Sequence, residues 1–149
     1  PMGITLCREK IFQSFIDDSP RKTFWHGHSF TANPLGCAAA NASLDLLEKE
    51  PHKYLSLEEK HLSQLIKFKE LPYIKKIRVS GTIAAFDLEI GKKTGYFNNI
   101  GKEIKNRAMQ KGLFIRPLGN VIYLLPPLCI NDQQLEKSYW IIRQILDNL

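Results

Sequence analysis

The chain has 149 residues, 44% of them hydrophobic, which is enough for one ordinary domain with its own core. It contains no run of roughly 18 apolar residues, which argues against a membrane-spanning helix. Its net charge of +6 comes from basic residues scattered among acids, without the clustering expected of a nucleic-acid surface. Cys7, Cys37 and Cys129 are odd in number, far apart and in no C-x-x-C pair. That predicts neither a disulfide framework nor a zinc site, and a reducing, cytoplasmic setting. The opening, Pro1 to Leu6, has no initiator Met, basic segment or cleavage site. It is expected to be an excised piece of something longer rather than a signal peptide.

Taken in order, Gly3 to Leu6 reads as a short buried strand, and Arg8 to Phe15 as a helix turning over Ile11, Phe12 and Phe15. Asp17 to Pro20 closes it with turn chemistry. Asn33 and Pro34 start a second helix, as N-cap and first helical residue, that runs to about Glu50 and stops at Pro51. A third helix, roughly His52 to Glu70, gathers Leu55, Leu62, Leu65 and Ile66 near one face and keeps His52 and His61 among polar residues. Ile74 to Ser80 and Thr82 to Ile90 are β-rich runs separated by Gly81, read as antiparallel strands or as one strand bent at the glycine. Gly91 to Gly95 reads as an exposed loop. Phe97 to Lys111 is an amphipathic helix through Ile100, Ile104 and Ala108, with Gly112 as its C′ residue. Leu113 to Arg116 and Val121 to Leu125 read as short strands around a turn at Pro117 to Asn120. Asn131 or Asp132 caps the last helix, with Leu135, Ile142, Ile145 and Leu149 on one side. The pattern predicts two unequal pieces. Residues 1–50 hold a strand and helices with no sheet of their own, and residues 51–149 form an α+β unit with a small, mainly antiparallel sheet.

Two stretches carry candidate chemistry. The first is His26-Gly27-His28-Ser29, a polar turn ahead of the Ala-rich helix that begins at Asn33-Pro34. Free N–H groups and a hydroxyl just before a helix make an anion or phosphate cradle. The same features also suit an ordinary capped packing helix. His26 and His28 lack a third ligand nearby, so no metal is expected. Gly95 to Glu103 superficially resembles a phosphate-binding P-loop, but its spacing is one residue too long and Glu103 stands where a Ser or Thr is needed. The second stretch is I-R-P-L-G-N-V-I-Y-L-L-P-P, from Ile115 to Pro127, in which Arg116 stands between two apolar runs. Its planar guanidinium suits a carboxylate held by two hydrogen bonds. A snorkelling or salt-bridged Arg at a strand edge is the alternative.

The wording of both stretches resembles the class III aminotransferases. H-G-H-S-F-T-A-N-P-L-G-C-A-A-A, from His26 to Ala40, is similar to that family's H-G-x-[ST]-[FY]-x-x-N-P-[LV]-x-x-A-A segment. The Ile115 to Pro127 run and Ala38 to Leu44 are most similar to the adenosylmethionine–8-amino-7-oxononanoate aminotransferase subgroup of biotin biosynthesis. The resemblance implies an α/β parent of the fold type I, pyridoxal-phosphate class. Residues 1–50 would then close its large domain, and residues 51–149 would form its small C-terminal domain. It implies a homodimer in which Gly27, His28 and Ser29 reach the other subunit's active site, His28 and Ser29 at the cofactor phosphate and Gly27 beside the substrate. It implies that Arg116 binds the substrate carboxylate, with S-adenosylmethionine as amino donor and 8-amino-7-oxononanoate as acceptor. The family often has Pro at the place of His28 and an aromatic at that of Leu118. The Lys that bonds the cofactor would lie upstream of Gly3, so this chain is expected to hold no catalytic base and to be inactive alone. Another class III ω-aminotransferase, of ornithine or 4-aminobutyrate type, and a non-catalytic α+β binding module are the alternatives.

Overall fold

The computed structural model describes residues 2–90, 95 and 97–149, with the side chains of 54 and 55 excepted. The chain divides into two compact units, Pro1–Glu50 and Pro51–Leu149.

The first unit holds α1 (Glu9–Gln13) and α2 (Pro34–Lys49). The start of α2 is set by Asn33, whose side chain accepts the Gly36 N–H at 2.7 Å, with Pro34 needing no acceptor in the first turn. None of the described residues of this unit is buried. The expected buried strand at Gly3 to Leu6 is absent: those residues are in no strand, and Ile4 and Leu6 are exposed. A strand needs a neighbour to take its backbone hydrogen bonds, and this unit offers none.

The second unit has a core of its own. Helix α3 (His52–Leu65) passes through a 3₁₀ turn at Ile66–Phe68 into β1 (Ile74–Ser80). Gly81, at φ +57°, turns the chain into β2 (Ile83–Leu88). Helix α4 (Ile100–Gln110) follows, then β3 (Val121–Leu124) and α5 (Asp132–Leu146). The sheet is antiparallel in the order β1-β2-β3, as expected of a small antiparallel sheet. Phe86, Leu88 and Ile122 of the sheet join Leu65, Ile104, Ile142 and Ile145 of the helices in one buried cluster. β2 is buried from Ala84 to Leu88, so both its faces are covered. A bulge between Lys75 and Arg78, with Lys76 at φ +50°, brings Arg78 to 2.8 Å and Lys76 to 3.4 Å from the Asp87 carboxylate.

Three readings change here. Leu113 to Arg116 forms no strand. β3 pairs with β2 instead, and the segment before the turn crosses unpaired with Ile115 buried beneath it. His61 is not a surface residue of a polar helix. It is fully buried, with Nδ1 2.6 Å from the Tyr139 hydroxyl and Nε2 3.2 Å from the Thr82 carbonyl. On the expected apolar face of α3, Leu65 is buried, whereas Leu62 and Ile66 are exposed and the Leu55 side chain lies outside the described set. Leu149 is likewise exposed at the chain end. The expected loop at Gly91 to Gly95 falls, apart from Gly95, outside the described residues.

Candidate functional site

In the first unit, Thr23 to His28 belongs to neither helix nor strand, and a three-residue turn joins the Phe24 carbonyl to the His26 N–H at 2.8 Å. Side chains two apart share a side, and four rings line up there. Phe24, His26, His28 and Phe30 lie at successive centroid separations of 5.6, 5.4 and 5.0 Å, the last pair stacked within 4° of parallel. The β-turn itself comes later than expected. It runs from His28 to Thr31, closed by the Thr31 N–H on the His28 carbonyl at 3.0 Å. The Thr31 hydroxyl in return accepts the His28 N–H at 3.1 Å. Ser29 is thus carried at the tip of a turn. Among the described residues neither its N–H nor its hydroxyl has a partner. Gly27 lies before the turn, outside the left-handed region, and a Cβ built on it would meet nothing within 4 Å.

In the second unit, Arg116 sits in the unpaired approach to a tight turn. Ile115 anchors the approach by burial, and Pro117 fixes the backbone beyond it. The guanidinium lies 5.9 Å from the centroid of the Phe114 ring, against which Lys105 Nζ also rests at 5.7 Å. Arg116 has no hydrogen-bond or ion-pair partner among the described residues. The salt-bridged alternative is therefore not realised, and a delocalised planar cation stands exposed and available. Beside it is a cavity of about 280 Å³ lined by Ile115, Arg116, Tyr123, Leu125, Pro127 and Ser138. Its walls are mostly apolar, with a charge at the rim and hydroxyls of Tyr123 and Ser138. That combination fits an aliphatic chain ending in a carboxylate.

Two residues that support Arg116 were not recognisable as such in the sequence. Gly101, buried in the first turn of α4, packs so closely that a Cβ there would stand 2.2 Å from the Gly119 carbonyl oxygen and 2.9 Å from Pro117 Cβ. Asn120 is buried. Its side chain accepts the Gly95 N–H at 2.8 Å and donates to the Leu88 carbonyl at 3.0 Å. A glycine inside an amphipathic helix was the one signal of close backbone approach. Gly27, His28 and Ser29 belong to the first unit and Arg116 to the second. No group of three or more His, Cys, Asp or Glu side chains suited to a metal occurs among the described residues.

The fold is that of the transaminases. A crystal structure of adenosylmethionine-8-amino-7-oxononanoate aminotransferase from Methanocaldococcus jannaschii superposes with a TM-score of 0.75 at 29% identity, over 91% of this chain and 34% of that one. A Bacillus anthracis aminotransferase superposes with a TM-score of 0.80 at 20% identity, over 95% of this chain and 34% of that one. Residues 1–146 match the family model of the class-III aminotransferases, and the chain belongs to that family, whose members use pyridoxal phosphate. The adenosylmethionine-8-amino-7-oxononanoate aminotransferase of Synechococcus elongatus is 44% identical over 149 residues, all of this chain and 35% of that protein. The enzyme of the same name from Geobacter sulfurreducens is 39% identical over 147 residues, covering 91% of this chain and 32% of its own length. The chain thus spans about a third of the length of these relatives.

Proposed function

We propose that this chain is the C-terminal portion of an adenosylmethionine-8-amino-7-oxononanoate aminotransferase, with residues 1–50 closing the large domain and residues 51–149 forming the small one. The observation that carries the reading is the exposed Arg116, without a hydrogen-bond or ion-pair partner among the described residues, beside an apolar cavity. Identity of 44% along the whole chain to an enzyme of that name supports it. The acceptor, 8-amino-7-oxononanoate, is an aliphatic chain with a terminal carboxylate. Arg116 holds that carboxylate through two parallel N–H donors and fixes how far the reacting carbonyl lies from it.

The residues of the first motif fit a phosphate. Ser29 offers a free hydroxyl and a free N–H at a turn tip. His28 adds an imidazole in place of a main-chain donor, since its own N–H is held by Thr31. Gly27, with open space where a side chain would stand, leaves room for the substrate. In the homodimer these three residues complete the partner subunit's site. Pyridoxal phosphate, when bound, supplies the electron sink that lets an amino group pass from S-adenosylmethionine to the keto acid. In this reading the Lys that bonds it and moves the proton belongs to the two thirds of the enzyme that these residues do not span, and the 149 residues alone are expected to have no transaminase activity. The enzyme works in the cytoplasm.

The test is the full-length enzyme with its cofactor. It is expected to show a borohydride-reducible cofactor band and to turn over 8-amino-7-oxononanoate, with Arg116→Ala raising KM for that substrate. Turnover of ornithine or 4-aminobutyrate in its place would move the assignment to another ω-aminotransferase. Failure to bind pyridoxal phosphate would leave a binding module.

A further inference from the structure

We infer that Asn120 is the positioning residue for Arg116, so that its buried amide sets the affinity of the site for the substrate carboxylate. The inference rests on Arg116 binding that carboxylate. Among the described residues Arg116 has no hydrogen-bond or ion-pair partner, only the Phe114 ring at 5.9 Å, and its backbone belongs to no strand. Its place is therefore decided by what fixes the turn that follows. Leu118 and Val121 exchange both backbone hydrogen bonds, at 3.0 and 2.9 Å, and Gly119 takes φ +59° between them. That two-residue turn would be free to swing about its end of β3. Asn120 ties it down in three ways. Its backbone carbonyl accepts the Leu88 N–H at 2.8 Å. Its side-chain N–H donates to the Leu88 carbonyl at 3.0 Å. Its side-chain oxygen accepts the Gly95 N–H at 2.8 Å. One amide thus joins the end of β2, the approach to α4 and the turn that carries Arg116. From the other side, Gly101 of α4 presses on the Gly119 carbonyl with no room for a methyl group. Both the donor and the acceptor of the amide are used, which explains why the residue is Asn. Asp has the same shape but offers no N–H, and it would set a carboxylate against the Leu88 carbonyl.

The experiment is steady-state kinetics on the full-length enzyme carrying Asn120→Asp, Arg116→Ala, or both, with 8-amino-7-oxononanoate as the varied substrate. Asn120→Asp is expected to raise KM about tenfold while kcat falls by less than twofold, and to raise it no further once Arg116 is Ala. Gly101→Ala displaces the same turn from its other face and is read in the same way should the Asp variant not fold. A tenfold rise that persists in the Arg116→Ala background would overturn the inference, because the amide would then act elsewhere. So would an unchanged KM for Asn120→Asp beside a raised KM for Arg116→Ala, an outcome that leaves the assignment of Arg116 standing. If Arg116→Ala alone leaves KM unchanged, the carboxylate assignment falls and the inference falls with it.

Discussion

The hydroxyl of Tyr139 donates to Nδ1 of His61 across 78 positions of sequence, at 2.6 Å, inside the core of the second unit. The tautomer follows from the other nitrogen, since Nε2 faces the Thr82 carbonyl, which only accepts. Burial lowers the His61 pKa and so favours the neutral imidazole, whose proton then sits on Nε2, and Tyr139 stays protonated, its pKa raised by burial. Tyr139→Phe keeps the ring but leaves Nδ1 a buried acceptor without a donor. It is expected to lower stability by about 1–3 kcal/mol, measured by urea unfolding of this chain.

The same pair makes stability depend on pH. Burial, the largest cause, lowers the His61 pKa below the ordinary value of 6.5, against a smaller upward effect from the Thr82 carbonyl. In the unfolded chain the imidazole binds a proton near pH 6.5, and in the folded chain only at lower pH. The unfolded state thus holds more protons on acidification, so stability is fully present above about pH 6.5 and falls as pH drops through the interval between the two values. The slope from one such group reaches at most about 1.4 kcal/mol per pH unit. Urea midpoints between pH 7.5 and 5 are expected to fall in the parent chain and to fall less in His61→Gln. Equal slopes in both would assign the effect to other groups.

Helix α5 begins at a reciprocal cap. Asn131 Oδ1 accepts the Gln134 N–H at 2.8 Å, and the Gln134 side chain accepts the Asn131 N–H at 3.1 Å. Leu135, Tyr139, Ile142 and Ile145 all enter the core from this helix, so fraying at its start loosens more than one turn. Asn131→Ala is expected to cost about 1 kcal/mol. The check is a lowered urea midpoint with an unchanged m-value.

Much of this fold was legible because the signals are local. Asn33-Pro34, Asn131 and Gly112 mark helix ends through their own side chains or φ, and Gly81 marks the turn between two β-rich runs. The readings that failed depended on something distant. Gly3 to Leu6 has the composition of a strand but no neighbour to pair with, and Leu113 to Arg116 lost its expected partner when β3 paired with β2. His61 looks polar until Tyr139 and Thr82 arrive from elsewhere in the chain. At the candidate site, the turn after Arg116 could be read from I-R-P-L-G-N, whereas the hydrogen bonds of the Asn120 amide could not. Asn after Gly is ordinary turn composition, and only the fold shows its amide spanning Leu88 and Gly95.

Arg116 is also where a conservative change should be most revealing. Lys keeps the charge but concentrates it on one ammonium, and the planar pair of donors that matches a carboxylate is lost. It also loses the flat face that lies 5.9 Å from Phe114, so the cation is less well placed even when bound. Charged hydrogen bonds of this kind are worth about 1.5–3 kcal/mol each. In the full-length enzyme, Arg116→Lys is expected to raise KM for the carboxylate substrate by roughly tenfold, and Arg116→Ala by roughly a hundredfold. The comparison that decides is a substrate lacking the carboxylate. If Arg116 acts by gripping that group, the parent enzyme and both variants should handle the truncated substrate with nearly the same kcat/KM. If the variants are instead impaired on every substrate alike, Arg116 is a structural residue of the turn, and the substrate carboxylate is held by another hydrogen-bond donor.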